Sequence, residues 1–323
     1  MPTQIRDYGR LTLLAFLVGL VATRLGLVLH EFLGHAATAA AVGCDIDGYY
    51  VFWFGGGYVR YSRAEAFSLG ESLFVALGGL ALEIIIGVIC LLWARKLKAG
   101  SVWQITVLGF GVGHLLHSLH YMAGGSYHGY GDPWIVYREL GESRVYLSVA
   151  LAVVMCALGF VLARHLAGFL RGGLAGHGKH SQLAIIVAAV VTAGGMHAGL
   201  AFGEQALAPN RTYKATFKSM SQRKVDHGVR RYRVMVKRKR GKGPTKAEVA
   251  AMRRRLAKKH KTFPFALVMS VCLVISVIGG VFFARASAVT EASLPSPSGQ
   301  RWLALVAAGS LGLVGLLRAL SSG

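Results

Sequence analysis

Leu27-Val28-Leu29-His30-Glu31-Phe32-Leu33-Gly34-His35-Ala36-Ala37 sets two imidazoles and a carboxylate into a run that is otherwise apolar enough to cross a bilayer. An ionisable side chain at membrane depth costs roughly 2.5 kcal/mol or more unless it is paired, hydrated or bound to a metal. Three of them within six residues therefore point to a site. The apolar run begins near Leu11, after Arg6 and Arg10, and continues past His35 without a small-residue cleavage signal, so it reads as a retained helix.

Further apolar windows of spanning length fall at about 70–93, 102–123, 145–166, 183–207, 265–287 and 302–320, which with 11–42 makes seven expected crossings. Only 15% of residues are charged and 54% are hydrophobic, a balance that excludes an ordinary soluble domain. The expected class is an all-α polytopic membrane protein with about seven transmembrane helices, a short membrane-associated β-hairpin and a basic cytoplasmic insertion. The net charge of +22 is local: residues 209–263 hold 20 of the 36 Lys and Arg and two of the 14 acidic residues. The divisions are a core at 1–207, the insertion at 208–264 and two C-terminal helices at 265–323. By the positive-inside tendency the insertion is cytoplasmic and the N-terminus outside, in what we expect to be a bacterial cytoplasmic membrane.

After Gly43 come aromatic and β-branched runs on either side of Gly55-Gly56-Gly57, the pattern of a hairpin whose unpaired edge could take up an extended peptide. His114, His117 and His120 recur at steps of three and could line a polar cavity. Asp132 before Pro133 reads as a helix N-cap with Pro at the first position. Arg24 and Glu83 are intramembrane charges whose economical explanation is mutual pairing, and His197 and Glu204 share a face as a polar pair or a second site. Cys44, Cys90, Cys156 and Cys272 are scattered and suggest no disulfide framework.

Within the insertion, alternation at 213–217 and 232–236 suggests two short amphipathic strands, and Thr245-Lys246-Ala247-Glu248 is a capping box that opens a basic amphipathic helix. The charge at 211–261 points to an anionic lipid surface rather than to nucleic acid, for which no fold signature accompanies it.

A metal-dependent hydrolase needs two or three imidazole or carboxylate ligands and a carboxylate beside them that takes a proton from water. In the HExxH helix the histidines lie four apart and about 40° from one another. Here they lie five apart, about 140° in a regular α-helix. A one-residue π-bulge, eased by Gly34, would restore a common face.

These residues resemble the site-2 protease family of intramembrane zinc metalloproteases. Gly43 stands eight residues after His35 and precedes the hairpin, as in that family, and Gly79-Leu80-Ala81-Leu82-Glu83 occupies the place of its Gly-Pro-x-x-Asn element with the Gly kept. Asp132 is the counterpart of its late aspartate. The resemblance spans about residues 11–166. It implies Zn2+ held by His30, His35 and Asp132, water activated by Glu31, and a membrane-spanning protein substrate held as a strand by Phe52, Trp53, Phe54 and Gly55, with Glu83. Two other readings remain open. The histidines at 30, 35, 114, 117, 120 and 128 resemble in outline the boxes of membrane di-iron desaturases and hydroxylases, and the chain could be an inactive scaffold of the protease fold.

Overall fold

The computed structural model describes residues 2–98, 100–172, 174, 176–284 and 297–321. Among them, seven helices are long and apolar enough to cross a membrane, which makes this a multi-pass membrane protein of the all-α class with one small antiparallel sheet. The first span is broken in register. Helix α1 (Pro2–Val28) passes into a π-helical turn at Leu29–Ala36 and then into α2 (Ala37–Ala41). Strands β1 (Asp45–Val51) and β2 (Gly57–Ser62) form the expected hairpin, with Tyr50 opposite Tyr58 and a register shift between Ile46 and Gly48.

The spans that follow start and stop on local signals. Helix α3 (Leu69–Ala94) opens on a capping box in which Ser68 and Glu71 satisfy each other's backbone N–H. Helix α4 (Val102–His128) opens on Ser101 and closes on Gly129, whose φ of 67° is the left-handed conformation that ends helices. A short helix α5 (Trp134–Leu140) leads into α6 (Arg144–Gly172), and α7 (Lys179–Leu207) completes the chain up to the insertion.

Helix α1 is the hub. It packs on α4, α7 and α12 (Pro297–Ser321), the π turn packs on α3, and α6 holds α11 (Phe265–Phe282) against the far side of α4. Leu11, Leu14, Val21, Ile186 and Ala189 sit in the resulting core. Ile85 and Ile89 of α3, Val153 of α6 and Ile275 of α11 remain exposed, and such apolar outer faces suit lipid rather than water. The expected sixth stretch at 265–287 closes at Phe282, and its residues 285–287 lie outside the described ones.

The insertion differs from expectation. Instead of two strands it forms helix α8 (Arg211–Thr216), capped by the Asn210 side chain, and helix α9 (Met220–Arg240), opened by a capping box between Ser219 and Gln222. The caps satisfy the free N–H groups that strands would have left open, and Val225, Val229 and Val236 form a helical stripe that outweighs the local alternation. Helix α10 (Lys246–Lys259) starts on the expected Thr245–Glu248 box and packs back along α9.

Candidate metal centre

In a π turn the hydrogen bonds run from i to i+5, so residues five apart stack one above the other. The Ala37 N–H donates to Phe32 O in this way, and His30 and His35 consequently face the same side. Their Nε2 atoms lie 3.1 Å apart. The Thr38 hydroxyl takes up carbonyls at the end of the turn, donating to Gly34 O at 2.5 Å and His35 O at 3.1 Å. Small residues let α3 come close enough to complete the pocket. A Cβ on Gly79 would lie 2.6 Å from the His30 ring, and one on Gly78 would lie 2.7 Å from Gly34 O.

Asp132 supplies the third corner. The expected N-cap role is not what the structure shows: the cap position of α5 is Pro133, and the Asp132 side chain makes no cap. Left-handed backbone at Gly129 and Gly131 turns the chain back toward α1, and the Asp132 N–H donates to Tyr121 Oη at 3.2 Å. Its Oδ2 thereby lies 3.2 Å from His30 Nε2 and 3.3 Å from His35 Nε2.

The three atoms form a nearly equilateral triangle. Ligands about 2.0 Å from a tetrahedral cation lie about 3.3 Å from one another, so the triangle has the size of one tetrahedral face. The second nitrogen of each ring is committed. His35 Nδ1 donates to Val75 O at 2.8 Å and His30 Nδ1 to Glu83 Oε1 at 3.0 Å. In the neutral rings both Nε2 lone pairs therefore converge on a carboxylate oxygen, an arrangement that a cation relieves and that metal-binding histidines use widely. Among the described residues, this group meets metal-ligand spacing, and the nature of the ion is not part of the geometry.

Glu31 is buried beside the group, with no hydrogen bond to a described residue, and lines a cavity of about 650 Å³ together with His30, His35 and Asp132. The same cavity runs along β2 from Gly57 to Tyr61. A Cβ on Gly57 would meet Glu31 Oε1 at 3.1 Å, so glycine there leaves the carboxylate its place. The sheet is two-stranded, and β2 has no described strand on its other edge.

The expected Arg24–Glu83 pair does not form. Glu83 accepts from His30, from His117 Nδ1 at 3.0 Å and from the Ser118 hydroxyl at 2.5 Å, beneath the candidate centre. Arg24 instead donates to Phe52 O at 3.0 Å and Phe54 O at 3.1 Å, carbonyls that the hairpin turn leaves without strand partners. His197 and Glu204 do not pair either. Seven residues separate them by about 10 Å along the helix, so a shared face does not bring them into reach. His197 bonds Phe16 O, whereas Glu204 accepts the N–H groups of Trp53 and Phe54, both at 2.7 Å, and of Gly55 at 3.2 Å. Arg318 of α12 completes that cluster at 2.7 Å from Glu204.

Of the residues expected to hold a substrate, Phe54, Gly55 and Glu83 line the cavity; Phe52 is buried against Tyr50 and Tyr213, and Trp53 lies beneath the Arg318 guanidinium. The remaining histidines of α4 do not join the triangle. His120 bonds the Ser270 hydroxyl, His128 accepts from Ala266 N–H, and the Nε2 of buried His114 has no hydrogen-bond partner among the described residues. Sequence reasoning missed the roof of the cavity. Tyr213, Thr216 and Phe217 cross it from the insertion, with Phe217 stacked on Tyr121 and the Gly131 N–H donating to Thr216 O. Aromatic residues alternating with lysines were the visible signal, and they suit a cap over a cavity as well as a strand. Comparison of the chain with protein-family models, curated proteins and solved structures gives no match.

Proposed function

We propose that the protein is an intramembrane zinc metalloprotease that hydrolyses a peptide bond of a membrane-spanning protein. The observation that carries this reading is the triangle of His30 Nε2, His35 Nε2 and Asp132 Oδ2 with the Glu31 carboxylate on the wall of the same cavity. Zn2+ held by those three atoms would keep a fourth position for water, lower that water's pKa and polarise a scissile carbonyl. Glu31, outside the ligand set, accepts the proton of the attacking water and passes it to the leaving amide nitrogen. The open edge of β2 binds the substrate as an added strand, which holds an unwound segment along the cavity. Glu83 and Val75 O fix the tautomers of the two histidines. The basic insertion lies on the cytoplasmic side, so the site opens toward that face of the membrane.

The test is metal content together with turnover in the full chain. We expect about one zinc per chain, lost in His35→Ala and kept in Glu31→Gln, and cleavage of a membrane substrate lowered at least about 100-fold in both. Metal-free purified protein, or zinc that stays bound in His35→Ala, would overturn the assignment. Two irons per chain would replace it with the oxygenase reading.

A further inference from the structure

The α9–α10 hairpin joins the rest of the molecule at one end. At that base the Ser221 hydroxyl donates to His260 O, Met220 packs at Gly129, and residues 261–264 connect α10 to α11. A cleft of about 410 Å³ opens there, lined on α9 by Arg223, Lys224, His227 and Arg231 and on α10 by Leu256 and His260. Gly228 makes the close approach of the helices possible, since a Cβ there would meet Leu256 Cδ1 at 2.7 Å.

The cleft gathers three cations and two imidazoles and no carboxylate. The acidic residues of the hairpin are already committed: Asp226 pairs with Lys218 at 2.6 Å and with Arg253 at 3.1 Å, and Glu248 pairs with Arg240 at 2.6 Å. Lys218 holds the Asp226 carboxyl below its ordinary value, as Arg240 does for Glu248, so both stay ionised and bound to their partners. Guanidinium and ammonium groups crowded in this way recognise phosphate oxygens.

The position of the cleft selects the source of the phosphate. Five Cα steps separate His260 from Phe265, where the apolar α11 begins, and they span at most about 18 Å, so the cleft stays near the membrane end of the hairpin. Phe263, in the link, is exposed. Arg238 and Lys239, also strongly basic, stand at the far tip of the hairpin. We propose that the cleft at the base of α9–α10 binds the phosphate of an anionic lipid headgroup and seats the hairpin on the membrane surface. The inference does not depend on the reaction proposed above.

The test uses the full chain purified in neutral detergent, with bound lipid counted by native mass spectrometry. Phosphatidylglycerol is offered against phosphatidylcholine, and inorganic phosphate and a DNA duplex serve as competitors. The expected result is a preference for phosphatidylglycerol that falls on the order of tenfold in Lys224→Gln/Arg231→Gln. It survives in Arg238→Gln/Lys239→Gln, which removes the same charge from the tip, and in the charge-conserving Lys224→Arg/Arg231→Lys. Equal loss in the cleft and tip variants would overturn the site in favour of diffuse charge. Loss in the charge-conserving variant would overturn it as a folding effect. Full displacement by millimolar inorganic phosphate would make free phosphate the ligand, displacement by the duplex at lower concentration than lipid would make nucleic acid the partner, and no preference at all would end the proposal.

Discussion

Glu83 is a buried carboxylate and Glu204 a half-buried one in an apolar bundle, and they are neutralised in opposite ways. Glu204 has a full countercharge in Arg318 and three backbone N–H donors from the hairpin turn. It is electrically closed. Glu83 is surrounded by His30, His117 and Ser118, and no Lys or Arg among the described residues pairs with it, with Asp132 or with Glu31. Three carboxylates thus share one cavity in which every described ion pair they make is with an imidazole, Arg24 and Arg60 lining it without pairing to them. Buried charge without compensation is costly, so a cation would relieve the pocket around Glu83, whereas the pocket around Glu204 needs none. The contrast separates a part of the molecule that holds a shape from a part whose donor atoms could hold an ion.

Breaking the closed pair should have the larger effect on stability. Glu204→Gln removes the countercharge facing Arg318 and weakens the acceptor of three N–H groups, and should cost about 1–3 kcal/mol, seen as a lower unfolding temperature, while metal content per folded chain stays the same. If metal were lost in proportion, the two networks would be one. Glu83→Gln removes the carboxylate charge and one of the two acceptor oxygens that His30, His117 and Ser118 share, and a chelator titration should find metal affinity weakened about 10–100-fold. A change confined to thermal stability would show that Glu83 serves packing alone. The stability losses of the two single variants should add in the double variant to within about 0.5 kcal/mol, because no described residue bonds to both carboxylates; a larger departure would reveal coupling through the hairpin turn. Thr38→Val tests the end of the π turn and should lower stability by about 1 kcal/mol, the scale of one hydrogen bond, with metal affinity nearly intact.

The spans were legible because a run of about 20 apolar residues has few alternatives, and the capping boxes at Thr245 and the hairpin glycines carried their own local physics. The common face of His30 and His35 could be anticipated because the chemistry demanded it and Gly34 allowed it. The polar partnerships were not legible. Arg24, Glu83, His197 and Glu204 stood out as costly, but which carbonyl or imidazole relieved each depended on where the hairpin turn docked, a tertiary fact with no trace in local spacing. The insertion misled for a related reason: its alternation at 232–236 is as compatible with a basic helix as with a strand, and Ser219 decides the matter from outside that window.

The π turn at Leu29–Ala36 also bears on how such sites are found. A spacing between two ligands is a surrogate for a shared face, and the surrogate holds only while the helix keeps one pitch. Here an added residue and a widened turn cancel, so that His30 and His35 meet as closely as a shorter spelling would bring them. A pattern search with fixed gaps discards this chain at the first step, whereas a search for converging donor atoms retains it.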